Sequence, residues 1–340
     1  MDVNGFEPSQ TGAGWVLRLR LEDLIALTFF LFTLALHVII GGWREATTKP
    51  ADVLIIIPAV ALLLVKELVH YFLIGEETRL ESAGDLREFV RPYWEIVRDW
   101  FPFLVILMMY YSLWGDATHL LVTHDRDAQL IALDQRLFGF QASVALQRIV
   151  SPPLTAWMQF AYAFHIWNIP LVACFIYLYR PRPRFREMMS GLIAISFFGL
   201  LGYLLVPAIG PMYTLRSHYT VPLVQPLAVF SQQIGFMDLA RIRRDCFPSL
   251  HVGISLVVWL YAWRNSKRLA WILAPLVLSL WVSTVYLRYH YLTDCVAGFI
   301  LALLCFWLAN TLSRRFGEVS LPLPVPRFFR ARNAAPRPIA

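Results

Sequence analysis

The chain has 340 residues, of which 58% are hydrophobic and 16% are charged, whereas an ordinary soluble domain has about 25% charged residues. Its net charge of +7 could suit nucleic acid, but a mean hydropathy of +0.56 and long apolar runs place the basic groups beside a bilayer. The four cysteines form no Cys-x-x-Cys pair and no zinc spacing with histidine, which excludes a disulfide scaffold and the common zinc modules. We therefore expect a membrane protein that does not bind nucleic acid.

Runs of about 17 to 25 apolar residues predict helices that cross a bilayer. Eight such runs occur, at 24–43, 51–73, 101–114, 156–179, 188–206, 249–264, 269–287 and 291–312. The run 101–114 is the weakest, because Gly115 and Asp116 end it early. The fold predicted is an all-α integral membrane protein with about eight transmembrane helices.

Two further stretches complete the predicted organisation. Residues 76–100 mix charged and apolar side chains, which favours a helix in the membrane interface, broken near Pro92; a solvated linker is the alternative. The segment 313–340 carries six Arg and five Pro, which predicts a basic, disordered tail that contacts anionic lipid head groups. We thus expect an N-terminal region 1–100 with two transmembrane helices and an interfacial helix, a six-helix membrane core 101–312, and the tail.

The distribution of positive charge predicts the orientation, because Lys and Arg near span ends are retained in the cytoplasm. With eight spans, the connections on the side of the termini carry 19 Lys and Arg, and the opposite connections carry 10. We therefore expect cytoplasmic termini, with the connections 207–248 and 288–290 outside. The protein is then a multi-pass protein, expected in the plasma (inner) membrane.

Polar residues concentrate at two span ends on the expected outer side. The first segment, RIRRDCFPSLH, ends at His251 and leads into the span 249–264. Pro248 is expected at the first helical position, followed by backbone N–H groups without helical partners. Such a helix start, preceded by three arginines, predicts an anion site.

The second segment, STVYLRYHYLTD, runs from Ser283 to Asp294. His290 and Asp294 are four residues apart, so that they share one face of a helix. The carboxylate can then fix the tautomer of the imidazole and leave its other nitrogen as a nucleophile or base. Because the spans 249–264 and 269–287 form a hairpin, His251 and His290 fall at the same membrane edge. This combination favours phosphoryl transfer.

These residues resemble the signatures of the type 2 phosphatidic acid phosphatase superfamily. Pro248-Ser249-Leu250-His251 is similar to its Pro-Ser-Gly-His, and Ser283-Thr284-x5-His290-x3-Asp294 is similar to its Ser-Arg-x5-His-x3-Asp. The forms FPSLH and HYLTD are closer to the inositol phosphorylceramide synthase branch, which transfers a phosphoinositol head group.

The resemblance implies a role for each matching residue. His290 would be the nucleophile that forms a phosphohistidine, Asp294 its orienter, and His251 the general acid and later the base that activates the acceptor. Ser249 would donate a hydrogen bond to a phosphate oxygen. The reaction so implied requires no metal and no cofactor.

One signature of the superfamily, Lys-x6-Arg-Pro, has no counterpart. Arg91-Pro92 has Gly84 where the lysine would stand. Three other arginines are available as phosphate ligands, the alternative being ordinary interface positions: Arg216, Arg244 and Arg288.

The leading interpretation is a membrane phosphotransferase that acts on a phospholipid or other lipid phosphate through phosphohistidine, with head-group transfer to a lipid hydroxyl. A lipid phosphate phosphatase, which uses water as acceptor, is the first alternative. A transporter is the second, suggested by Lys66 and Glu67 within the span 51–73. The lack of visible internal repeats argues against it.

Four smaller observations leave alternatives open. Tyr162, His165 and Asn168 share a face of the span 156–179, and either line a head-group cavity or form interhelical hydrogen bonds. Cys246 and Cys295 either form a disulfide or stay free thiols. Five residues suggest a metal site, but their spacing fits no helix face: Asp116, His119, His124, Asp125 and Asp127. Lys66 and His70 form either a polar helix face or part of a transport path.

Overall fold

The computed structural model describes residues 6–8, 14–40, 61, 63–66, 83–109, 124–223, 244–315 and 319–324. Its elements are β1 (Phe6–Pro8), β2 (Gly14–Leu19), α1 (Leu21–Ile40), α2 (Ala83–Met109), α3 (Asp127–Phe138), α4 (Ala142–Leu146), α5 (Pro152–Tyr179), α6 (Arg182–Leu205), α7 (Pro211–Thr214), α8 (Leu250–Asn265), α9 (Lys267–Tyr286), α10 (Leu292–Arg315) and β3 (Val319–Pro324). Short 3₁₀ turns occupy Gln147–Ile149 and Arg216–His218. The predictions for Glu67, His70, Asp116 and His119 lie outside the described residues.

The centre of the described part is a helical bundle. Helix α8 packs against α5, α6, α9 and α10, and α1 and α2 pack against each other and against α6. Four described helices, α5, α6, α9 and α10, are long and apolar enough to cross a membrane. The observed bounds of these four and of α8 lie within a few residues of the predicted runs. The protein is thus a helical membrane protein, as predicted.

Helix α2 corrects the expected break near Pro92. It continues without interruption for 27 residues and contains both Pro92 and Pro102. A proline inside a helix removes one backbone hydrogen bond. Packing offsets that loss here, because Ile96, Trp100 and Phe103 are buried against the bundle. The predicted interfacial segment and the start of the run 101–114 are therefore one helix.

A small antiparallel sheet was not predicted from the sequence. Strand β2 pairs with β1 on one side and with β3 on the other, and the register joins Leu19 to Val319 and Gly14 to Pro324. Strand β3 lies within the segment 313–340, for which the sequence predicts disorder. Pro322 and Pro324 argue against a strand, but β3 is at the edge of the sheet, where a proline removes no ladder bond that a neighbour needs.

Ion pairs connect the helices at the end of the bundle where α8 finishes. Asp99 of α2 pairs with Arg20 and with Arg182 of α6, the latter at 3.0 Å between Nη1 and Oδ2. Arg264, in the last turn of α8, pairs with Glu187 of α6 at 3.3 Å. Because α8 carries His251 in its first turn, the histidine lies at the other end of the bundle.

At that other end, glycines let three helices come close. A Cβ added at Gly202 of α6 would lie 2.2 Å from Cδ of Pro248, and one added at Gly298 of α10 would lie 2.3 Å from the carbonyl oxygen of Ser249. Real Cβ atoms do not approach other heavy atoms so closely. The start of α8 is therefore held directly against α6 and α10.

Candidate active site

The start of α8 differs from its predicted form. Helix α8 begins at Leu250, and Ser249 is its N-cap, with Oγ accepting a hydrogen bond from the backbone N–H of Val252 at 3.4 Å. Pro248 therefore precedes the cap and is not the first helical residue. The N–H of Ser249 donates to the backbone carbonyl of Asp294 at 3.0 Å. This bond ties the start of α8 to the first turn of α10. The Ser249 hydroxyl keeps its own hydrogen, so that it can still donate to a ligand.

His290 and Asp294 form a buried pair. Their side chains are 4% and 0% exposed, and His290 Nδ1 lies 3.5 Å from Asp294 Oδ2. The same Nδ1 lies 2.9 Å from the backbone carbonyl oxygen of Cys246. Because a carbonyl oxygen can only accept, this contact assigns the hydrogen to Nδ1. The other nitrogen, Nε2, then carries the lone pair that a nucleophile needs.

The Asp294 carboxylate is itself held by neighbouring donors. Its Oδ2 accepts from the backbone N–H of Tyr291 at 2.8 Å and from the thiol of Cys246 at 2.9 Å. Its Oδ1 is buried and has no hydrogen-bond partner among the described residues. Burial raises the pKa of the Cys246 thiol well above its usual value, and the nearby Asp294 charge raises it further. The Cys246 thiol therefore keeps its proton and donates a hydrogen bond to the carboxylate.

The two cysteines considered for a disulfide are both free thiols. The Cys295 sulfur lies 3.3 Å from Oγ1 of Thr284, away from the bond that Cys246 makes with Asp294. The sequence offered Cys246 only as a disulfide partner or a free thiol, so that neither its carbonyl contact with His290 nor its thiol contact with Asp294 was predicted.

His251 lies in a cluster of rings. The centroid of its ring is 5.7 Å from that of His290 and 4.6 Å from each of Tyr162 and His165 on α5. The structure thus brings two of the three polar residues predicted on that helix face to His251. The third, Asn168, is fully buried one turn further along α5.

Asp127, at the start of α3, holds the loop that follows α6. Its carboxylate accepts from the N–H groups of Ile209 and Gly210 at 3.0 and 2.8 Å, and from the hydroxyl of Tyr291 at 2.8 Å. A carboxylate with three donors needs no metal to satisfy it. The loop 207–210 is thereby connected to the residue that follows His290.

Asp134, two turns further along α3, holds the start of α10. It accepts from the backbone N–H groups of Leu292 and Thr293 at 3.0 and 2.8 Å, and from the Thr293 hydroxyl. The N-terminus of a helix favours a negative charge. Asp134 was not predicted as a functional residue from the sequence, although its spacing of seven residues from Asp127 places both on one helix face.

The three predicted phosphate-binding arginines are in different surroundings. Arg288 is on the loop that carries His290, with its guanidinium 3.9 Å above the ring of Tyr219 and a hydrogen bond to the carbonyl of Val221. Arg244 pairs with Asp125 at 2.7 Å. Arg216 is exposed in its 3₁₀ turn. The other arginines of the first segment, at 241 and 243, lie outside the described residues.

Cys246, His290 and Asp294 also have the chemistry of a metal site. One ligand atom from each lies within 4.8 Å of the others. Thiolate, imidazole and carboxylate are zinc ligands in proteins. These atoms instead bond to one another or to the Cys246 carbonyl, and the thiol keeps its proton. A reaction without metal or cofactor stays a prediction from the sequence.

Comparison with known proteins identifies the family. The PAP2 superfamily model matches residues 128–308, more than half of the chain. The chain is 26% identical to an inositol phosphorylceramide synthase of Candida albicans over 192 residues, which are 52% of this chain and 40% of the relative. It is 27% identical to an inositol phosphorylceramide synthase catalytic subunit of Schizosaccharomyces pombe over 197 residues, which are 54% of this chain and 46% of the relative. The chain therefore spans less than half the length of these curated relatives, and no solved structure matches it. By the extent of the family match, the chain belongs to the PAP2 superfamily.

Proposed function

We propose that the protein is a membrane enzyme that transfers the head group of a lipid phosphoester to a lipid hydroxyl through a phosphohistidine. The observation that carries this proposal is the contact of His290 Nδ1 with the Cys246 carbonyl at 2.9 Å, which in the neutral imidazole places the hydrogen on Nδ1 and the lone pair on Nε2. The names of the two relatives, both inositol phosphorylceramide synthases, support transfer of a phosphoinositol-type head group.

The first step forms the enzyme-bound intermediate. Nε2 of His290 attacks phosphorus, an N–P bond forms, and the P–O bond to the leaving lipid alcohol breaks. His251 gives its proton to the leaving oxygen. The ring-centroid separation of 5.7 Å supports this assignment, because both histidines can reach one phosphoryl group.

The second step transfers the group to the acceptor. The acceptor hydroxyl attacks phosphorus, its proton goes to His251, a new P–O bond forms and the N–P bond to His290 breaks. Asp294 stabilises the positive charge that phosphorylation places on the imidazole. Ser249 and Arg288 are the proposed phosphate ligands nearest in sequence to the two histidines, and Arg216 and Arg244 remain weaker proposals.

We also propose that the site faces the extracytoplasmic side of the plasma (inner) membrane, with both termini in the cytoplasm. The excess of Lys and Arg on the side of the termini supports this orientation. Cysteine labelling in the connection 207–248 on intact cells tests it. Labelling only after permeabilisation would contradict it.

The experiment compares purified wild-type protein with His290→Ala and with a matched control, His218→Ala, which removes an exposed histidine of a 3₁₀ turn. Each is incubated with phosphatidylinositol or phosphatidic acid, with and without ceramide or diacylglycerol. We expect a new phosphorylated lipid that requires acceptor and His290, together with an acid-labile phosphoryl label on the protein.

Other outcomes distinguish the alternatives. Release of inorganic phosphate and diacylglycerol from phosphatidic acid, without an acceptor lipid and without a new phosphorylated lipid, would make the protein a phosphatase. Turnover that survives His290→Ala would contradict the phosphohistidine. Substrate flux across vesicles without chemical change would favour the transporter.

A further inference from the structure

Helix α5 brings polar atoms without partners next to the ring of His251. His165 contacts that ring at a centroid distance of 4.6 Å, and its Nδ1 is buried without a hydrogen-bond partner among the described residues. Asn168 is 0% exposed, and neither its amide oxygen nor its amide nitrogen has a partner there. Within the described part of the chain, neither residue thus makes the interhelical hydrogen bonds that the sequence left open for this helix face.

These unpaired atoms are costly where they lie. A buried polar group without a partner costs about 1–3 kcal/mol, and buried polar groups in folded proteins are nearly always paired. His165 and Asn168 are three residues apart, so that they are neighbours on the helix surface. Together they offer hydrogen-bond donors and acceptors within one turn of α5. A ligand with polar groups of its own would satisfy them.

The position beside His251 indicates which part of the substrate this ligand is. In the proposed reaction the head group stays on phosphorus, which is bonded to His290. His251 exchanges its proton with the alcohol, first the one that leaves and then the one that accepts. A group bound at His165, on the ring of His251, therefore belongs to the alcohol.

We propose that His165 and Asn168 form the acceptor subsite and bind a second polar group of the lipid alcohol whose hydroxyl is deprotonated by His251. This inference rests on the proposed transfer function and names its acceptor class. The acceptor is a lipid alcohol that carries another hydroxyl or an amide close to the reacting hydroxyl. Water and simple alcohols lack that second group, so the subsite favours transfer over hydrolysis.

The test measures how the phosphoenzyme partitions, because the ratio of transfer to hydrolysis is independent of how fast the intermediate forms. Purified full-length protein is given phosphatidylinositol in mixed micelles, with a long-chain primary alcohol or the matching long-chain vicinal diol as acceptor. For the wild type we expect the transfer-to-hydrolysis ratio to be roughly tenfold higher with the diol, the effect of about one buried hydrogen bond.

The variants remove the polar atoms and keep the packing. His165→Phe retains a ring against His251, and Asn168→Leu has a similar volume. In each variant, the transfer-to-hydrolysis ratios with the diol and with the simple alcohol are expected to differ by no more than about twofold. His165→Gln retains a polar group and is expected to keep part of the preference. The matched control is Ser190→Ala, which removes another buried oxygen without a described partner. Ser190 adjoins Gly191, which packs on Tyr261, ten residues along α8 from His251, and the control should keep the full preference.

Two outcomes would overturn the inference. One is a wild type that transfers equally well to both alcohols, and the other is a preference for the diol that persists in both His165→Phe and Asn168→Leu. In either case the transfer function itself would stand. A wild type that consumes donor but transfers to neither alcohol would instead overturn the transfer function, and the subsite with it.

Discussion

Replacing Gly298 by alanine tests whether the close approach of α10 to α8 positions the proposed catalytic residues. The added Cβ would lie 2.3 Å from the carbonyl oxygen of Ser249 and 3.1 Å from its carbonyl carbon. Both are backbone atoms of the α8 N-cap, so a change of side-chain rotamer cannot relieve the clash. Gly253 of α8 takes part in the same contact between the two helices, because a Cβ added there would lie 3.2 Å from the carbonyl oxygen of Gly298.

The size of the effect follows from the missing space. Ordinary contact begins at 3.4 Å, so the start of α8 and the first turns of α10 must separate by about 1 Å. Such overpacking costs about 1–3 kcal/mol of folding free energy. The same displacement stretches the 3.0 Å bond between Ser249 N–H and the Asp294 carbonyl. A misplacement of about 1 Å in an active site lowers the rate roughly a hundredfold.

The assay measures both thermal unfolding and kcat/KM for lipid product formation with purified protein. We expect Gly298→Ala to lower the unfolding temperature modestly and kcat/KM by about a hundredfold. The matched control, Ile300→Ala, changes a side chain that is 52% exposed on the same helix and should retain activity. Wild-type activity in Gly298→Ala would refute the reasoning, and an equal loss in the control would assign the effect to α10 as a whole.

Four further predictions test the contacts around the histidine pair. Asp134→Ala leaves the first two N–H groups of α10 without their acceptor, at about 1–3 kcal/mol each, and should lower the unfolding temperature and activity more than Leu137→Ala, an exposed position on the same helix. Cys246→Ser retains a donor to Asp294 and Cys246→Ala removes it, so we expect activity about tenfold higher in the serine variant; equal activities would contradict the contact. Because burial raises the pKa of Cys246, iodoacetamide should alkylate it slowly at pH 8 in the native protein and rapidly after unfolding, as followed by mass spectrometry. Asp294→Asn should slow phosphoenzyme formation by roughly a thousandfold without changing donor affinity, as measured in single-turnover experiments; a loss of affinity at an unchanged rate would contradict this role.

The membrane helices could be predicted from the sequence because each carries its own signal. A run of apolar residues that is long enough to cross a bilayer predicts a helix without reference to the rest of the chain. The spacing of four residues also predicted the contact of His290 with Asp294, although His290 lies in the loop before α10 and not on a shared helix face. The pairing of β2 with β3 joins residues about 300 apart, and no local pattern shows it.

The contacts of the site with distant backbone atoms could not be predicted. The Cys246 carbonyl that fixes the His290 tautomer belongs to a residue 44 positions away, and every residue has such a carbonyl. Asp134 is 159 positions from Thr293, and its carboxylate accepts a hydrogen bond from the Thr293 N–H. In the sequence Asp134 is an ordinary acid of an amphipathic helix, and only its burial shows that it holds the start of α10.

In the proposed reaction, the two acceptors beside His290 act at two different stages. The neutral Cys246 carbonyl, at 2.9 Å, is the nearer to Nδ1, and it suffices to keep the hydrogen there before the donor lipid binds. The Asp294 carboxylate, at 3.5 Å, is engaged with the thiol of Cys246 and the N–H of Tyr291. Once Nε2 bonds to phosphorus, the ring becomes cationic, and a buried negative charge at that distance stabilises it far more than a carbonyl dipole can. Under this proposal the carbonyl selects the nucleophilic tautomer, and the carboxylate lowers the free energy of the phosphohistidine intermediate. The sequence spacing of His290 and Asp294 predicts the first of these roles but assigns it to Asp294, whereas the acceptor nearer to Nδ1 is the Cys246 carbonyl.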